Sequence, residues 1–186
     1  MTAVQVHGKV RHGNFIHGST TMGMAAFFAA VSPTELARLQ ADPSLVEEFL
    51  FPDDGDSEPD NSMDVDKAWH AIHFMLTGTA DAGAEPWSLA VLGGEPIGDD
   101  LGDGPARFLT PAQVRQVAEA LSALPIDEFA ARYAPAAMEA AQIYPDGIWM
   151  RDGDDALDYV LENYAPLVQF YVDAAVRGDG AILTVG

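Results

Sequence analysis

The sequence predicts one helix-rich domain with a few short strands set between the helices, and three observations carry that expectation. The 186 residues, 48% of them apolar, are enough for one hydrophobic core. Helix-start signals recur at Ser32-Pro33, Asp42-Pro43, Ser62 and Thr110-Pro111, where a side-chain oxygen caps free amides or a proline fits the first helical position. Between the helical stretches, apolar runs at 24–31, 87–92, 107–109 and 181–185 have the length of buried strands.

Composition narrows the function classes. No apolar run reaches the roughly 18 residues that a membrane-spanning helix needs, and no membrane association is expected. The chain has no cysteine, which excludes disulfides, thiolate nucleophiles and thiolate metal sites; with no signal-peptide pattern, the expected compartment is the cytoplasm. Twenty-nine acidic residues against nine basic give a formal charge of −20. That balance opposes binding to a phosphate backbone, so nucleic acid is not an expected ligand. It suits a basic protein partner as well as it suits plain solubility.

Residues 1–21 contain no acid, both Lys9 and Arg11, and His-Gly pairs at His7, His12 and His17. Five-residue spacing matches neither a helix face nor a strand face, so no metal site is expected there; the stretch is expected to be a flexible basic arm, with the globular part over residues 22–186. Without the arm, seven basic residues face 29 acidic ones, a formal −22. The run from Met24 to Val31 is then expected as a strand. Ser32-Pro33-Thr34-Glu35 has the form of a capping box and opens a helix with Leu36 and Leu39 inward. Asp42-Pro43 starts a second, carrying Leu45, Val46, Phe49 and Leu50. The acidic segment 52–60 is a loop. Its Asp54, Asp56 and Glu58 alternate as in a calcium loop, yet Pro59 stands where the sixth-position glycine is needed and Val65 where the twelfth-position acid is needed.

The stretch DNSMDVDKAWHAIHFMLTG, from Asp60 to Gly78, is expected as the central helix, capped by Ser62 and stopped at Gly78. At about 100° per residue, Val65, Ala68, Trp69, Ile72, Met75 and Leu76 share one face and Phe74 points away from it. Asp66, His70 and His73 fall together on the flank between, at i, i+4 and i+7. Beyond this helix, Trp87–Leu92 is expected as a strand running into GGEPIGDDLGDGP, a rigid glycine-rich loop whose spacing fits no phosphate-binding motif and whose acids would repel phosphate. Arg107–Leu109 is a further strand, followed by an amphipathic helix over 110–123 with Val114, Val117, Ala118 and Leu121 inward. Shorter helices are expected over 127–132 and 135–142. The segment Ile143–Trp149 presents aromatics in an irregular loop, and the last helical region is expected to break at Pro166 before a closing strand at 181–185.

Met22-Gly23-Met24, the Asp60–Gly78 stretch, AVLGGEPIG from Ala90, DGPARFLTP from Asp103, Ile143-Tyr144-Pro145 with Trp149, and Asp155-Ala156-Leu157-Asp158-Tyr159 occur in an order that resembles the YfbM-like family, a bacterial domain of unknown function. The likeness spans Met22 to Gly186. It implies an α+β fold, a single domain with many helices packed around a small mixed sheet, and it brings no catalytic assignment.

The candidates for ligand or partner binding are Asp66, Trp69, His70, His73, Glu95, Tyr144 and Trp149. A zinc site would take His70 and His73 at i, i+3, with Asp66 or Glu95 as third ligand; two histidines on one helix leave the coordination sphere short, so neither metal nor cofactor is expected. Acid–base chemistry would use His70 with Asp66 fixing its tautomer, while Trp69, Tyr144 and Trp149 supply apolar contact. The third reading is a network in which these side chains hold neighbouring loops by hydrogen bonds. Two functions follow: a non-catalytic module binding a basic protein, as an immunity or antitoxin subunit does, or a small-molecule enzyme, a hydrolase or transferase, with a His/Asp/aromatic pocket.

Overall fold

Strand β1 (Ala26–Val31) is the hub of the sheet because both of its sides are apolar: Ala26, Phe28 and Ala30 face one core, while Ala29 and Val31 face another. The computed structural model describes residues 23–52, 59 and 61–186. The expected arm at 1–21 and the calcium-like acids Asp54, Asp56 and Glu58 lie outside the described residues. The other strands are β2 (Ser62–Asp64), β3 (Glu95–Asp100), β4 (Pro105–Leu109) and β5 (Gly180–Val185). They form one sheet in the order β2-β1-β5-β4-β3. Every neighbouring pair is antiparallel, where the sequence led to a mixed sheet.

Strand periodicity assigns the layers. Leu109, Ala181 and Leu183 join Phe28 in the larger core, beneath α3 (Trp69–Thr77), α4 (Pro111–Ala123) and α8 (Asp154–Arg177). Ala106 and Ile182 join Val31 in the smaller core, closed by α1 (Pro33–Ala41) and α2 (Val46–Leu50). Short helices α5 (Ile126–Ala130), α6 (Pro135–Ala140) and α7 (Trp149–Asp152) complete the larger layer. The architecture is α+β. The edges of the sheet are short or irregular: β2 has three residues, and β3 carries Pro96, Gly98 at φ +80° and a register shift between Ile97 and Asp100.

Local signals place several elements where the sequence puts them. Ser32 accepts from the Glu35 amide at 3.2 Å, but the Glu35 carboxylate pairs with Arg38, so the reciprocal half of the expected box is missing. The complete capping box is at Thr110 and Gln113. Gly78, at φ +77°, ends α3 in the left-handed conformation that lacks a steric cost only for glycine.

Four expectations are corrected. Ser62 is not a helix cap: it pairs with Ala29 in β2. The chain enters its helix only after Asp66, which sits at φ +45° with its amide bonded to Asp64 Oδ1 at 2.9 Å; a 3-10 turn at Asp66–Ala68 then leads into α3. The expected strand at 87–92 is a 3-10 turn, Trp87–Ala90, that inserts buried Leu89 and Ala90 into the larger core, and Tyr171 donates to the Ala90 carbonyl at 2.9 Å. The glycine-rich loop is largely strand, forming a hairpin with β4 whose turn is held by Asp100 Oδ1 accepting from Gly102 and Gly104. Finally, α8 runs unbroken through Pro166. Its buried stripe Ala156, Val160, Tyr164, Leu167, Tyr171 and Ala174 continues across the proline, and burial of those groups outweighs a helix-interior proline costing about 3 kcal/mol.

Candidate functional site

His70 and His73 lie one turn apart on α3 and both turn toward the loop that follows it. His70 is half-buried; its Nδ1 accepts from the Tyr144 amide at 2.9 Å. Because Nδ1 is an acceptor there, the ring proton of the neutral imidazole is on Nε2, which donates to the Ala80 carbonyl at 3.0 Å. Both nitrogens are thus committed to backbone. His73 is fully buried. Its Nε2 bonds the Ala82 carbonyl at 3.2 Å, leaving Nδ1 buried without a partner. The two rings clip the loop on either side of Asp81 and tie it, through His70, to the turn at Tyr144.

Charge on either ring is disfavoured. Burial lowers the pKa of His70, opposed by the Ala80 carbonyl and the negative charges of Asp81 and Asp146. Burial likewise lowers that of His73, opposed by the Ala82 carbonyl and Asp81, with the neighbouring His70 lowering it further. Protonating His70 at Nδ1 would set two N–H donors against each other, and protonating His73 would place a charge in the core.

The remaining candidates divide between this bracket and other roles. Trp69 stacks on His70 with ring centroids 4.7 Å apart and on Tyr144 at 5.9 Å; it is buried, and its Nε1 donates to the Met24 carbonyl at 3.1 Å. Trp149 is fully buried and donates to the Ile143 carbonyl at 2.7 Å, so it presents no surface to a ligand. Asp66 does not orient His70: its Oδ2 accepts from the Tyr159 hydroxyl at 2.8 Å, and the Tyr159 hydroxyl oxygen in turn accepts from the Lys67 amide at 3.0 Å. Glu95 is exposed on edge strand β3, paired with Phe108, and has no part in the bracket. Among the described residues no three His, Asp or Glu side chains converge closely enough to hold a metal ion.

Sequence reasoning missed Tyr159, whose link to Asp66 spans 93 positions. It also missed Arg132, which donates to the Met75 and Leu76 carbonyls at the end of α3 and lies 5.5 Å from the centre of the Trp87 ring. A cation there complements the negative end of the helix. A cavity of about 240 Å³ lined by Asp81 of the clipped loop together with Asp103 and Arg107 had no signal in the sequence either.

The family model described as a domain of unknown function (DUF1877) matches residues 22–184. The chain belongs to the DUF1877 family. Its fold is shared with a solved structure titled a protein of unknown function, YfbM from Escherichia coli, at a TM-score of 0.69 and 21% identity, covering 87% of this chain and 99% of that one. No curated protein matches it. For this DUF1877 domain the likeness shows the α+β architecture.

Proposed function

We propose that the domain is a non-catalytic module that binds a basic protein partner through the first half of α8, in the manner of an immunity or antitoxin subunit. The observation that carries this reading is the stripe Asp154, Asp158 and Glu162. All three are exposed, as is Asp155 beside them, and α8 has no basic residue before Arg177. At i, i+4 and i+8 the stripe spans about 12 Å of helix. Asp154 is favourable at the positive helix end, but the repeated like charges at i, i+4 are each destabilising by a few tenths of a kcal/mol. The like charges at Asp158 and Glu162 lie beyond the first turn, so their repulsion is a cost in folding and a gain in recognising a cationic surface. Met150, 61% exposed at the start of the same region, supplies an apolar anchor beside the charges.

The alternative, a hydrolase or transferase built on the His/Asp/aromatic group, is the weaker reading because backbone groups engage both nitrogens of His70 and Asp66 is bonded to Tyr159. The test is affinity capture with the wild type and with an Asp154→Asn/Asp158→Asn/Glu162→Gln variant, at low and high salt. A basic protein retained at low salt, released by high salt and lost in the melting-competent variant supports the proposal. Capture that ignores both salt and the three substitutions refutes it.

A further inference from the structure

We infer that the cavity beside the clipped loop is a binding site for a small zwitterion of the amino-acid class, a compact ligand carrying one ammonium, one carboxylate and an apolar body. In β4 and β5, Arg107 and Leu183 are register partners on the larger-core face, and Val185 is two residues further along the same face. Leu183, Val185 and Val91 give the cavity an apolar side. Three charged residues, Asp81, Asp103 and Arg107, also line it, all of them open to solvent.

These charges do not neutralise one another. Among the described residues the only ion pairs are Glu35 with Arg38, Arg151 with Asp152, and Arg177 with Asp179. Arg107 instead donates Nη1 to the Gly94 carbonyl at 2.9 Å, which fixes the guanidinium while leaving its other donors for a planar acceptor. Two carboxylates and one guanidinium therefore border one cavity without pairing. A ligand bearing both signs satisfies both, its carboxylate on Arg107 and its ammonium on Asp81 and Asp103, with the side chain against Val91, Leu183 and Val185. The volume, about 240 Å³, falls below the roughly 300–1,000 Å³ of drug-sized sites and suits a ligand the size of a single amino acid.

The histidine bracket gives this site its rigidity. His70 and His73 hold the carbonyls of Ala80 and Ala82, the residues on either side of Asp81, so the backbone that carries its carboxylate is fixed before any ligand arrives, and less ordering cost is left for binding. Thr79 adds a further hydroxyl bond to the Ala82 carbonyl. The inference is independent of the partner proposed for α8, because Asp81, Asp103 and Arg107 lie outside that helix.

The test is a ¹H–¹⁵N titration of the full chain with three probes of similar shape: L-leucine, 3-methylbutylamine as the amine alone, and 4-methylpentanoate as the acid alone. The expected result is saturable shifts from L-leucine at the amides around 81, 91, 103–107 and 183–185, with each half-probe at least about tenfold weaker. Asp81→Asn with Asp103→Asn should weaken L-leucine by a similar factor while leaving 4-methylpentanoate unchanged. Arg107→Lys, which keeps the charge and loses the planar fork, should weaken L-leucine and leave 3-methylbutylamine unchanged. Thermal melts of the variants confirm that each is folded. Absence of saturable shifts with L-leucine, equal binding of the amine alone, or indifference to the paired Asn substitutions overturns the inference.

Discussion

Replacing His70 with alanine tests the bracket directly. The substitution removes the Nε2–H bond to Ala80, the acceptor for the Tyr144 amide and the stack on Trp69. Two hydrogen bonds contribute about 0.5–1.5 kcal/mol each, and a stacked pair of rings about 0.5–1.5 kcal/mol. Because His70 is only half-buried, water can reach part of the vacated site, and the expected loss lies toward the lower end of the total, about 2–3 kcal/mol. For a chain of this length that lowers the melting midpoint by about 4–12 °C. The assay is urea unfolding followed by tryptophan fluorescence, with the slope unchanged if the folded and unfolded states keep their compactness. A companion variant, Asp66→Gly, removes the carboxylate while tolerating the positive φ. Asp66 bonds Tyr159 and not His70, so the double variant should be additive within about 0.5 kcal/mol. A loss below about 1 kcal/mol for His70→Ala, or a coupling of more than about 1 kcal/mol with Asp66, would refute this account of the bracket.

Two other outcomes are expected. Both histidines have a pKa lowered by burial, so the unfolded chain binds more protons than the folded one below about pH 6.5, the unperturbed value. The stability that they confer is complete above that pH and lost as pH falls from it toward the lowered values; urea midpoints measured from about pH 7.5 to 5 should decline, and His73→Leu should decline less. A midpoint that rises through this window, or an unchanged slope in the variant, contradicts the assignment. Pro166→Ala should raise stability by about 1–3 kcal/mol, since Pro166 is exposed on a continuous helix and alanine restores a backbone donor; a loss in the same denaturant assay would show that the proline is fitted to its place.

The contrast between what local chemistry and distant pairing decide is visible residue by residue. Thr110-Pro111 with Gln113 and the stop at Gly78 are readable because cap and helix are neighbours in the chain. The strand Ser62–Asp64 is not, since its conformation is imposed by β1, more than thirty positions away. Strand β3 buries only Ile97, so no alternation of apolar and polar side chains announces it. At Pro166 a local rule was correct about the cost and silent about the packing that overrides it. Of the candidate site, the nearness of His70 and His73 was legible from helical spacing, and their link to loops was among the readings. The bonding partners were not, because Ala80, Ala82 and the Tyr144 amide contribute backbone groups, which every residue carries alike.

The two edges of the sheet have a bearing on how this molecule meets others. A partner, or a second copy, that adds a strand to an exposed edge needs a row of free amides and carbonyls in regular spacing. At one end β2 offers three residues. At the other, β3 interrupts the row with a proline that has no amide hydrogen and with a shift of register, and it carries the charges of Glu95, Asp99 and Asp100. Both ends resist templated growth of the kind that leads to fibres. A partner of the proposed kind would therefore have to be selected by side chains, and changes on helix surfaces would alter such recognition without disturbing the hydrogen-bonded frame beneath them.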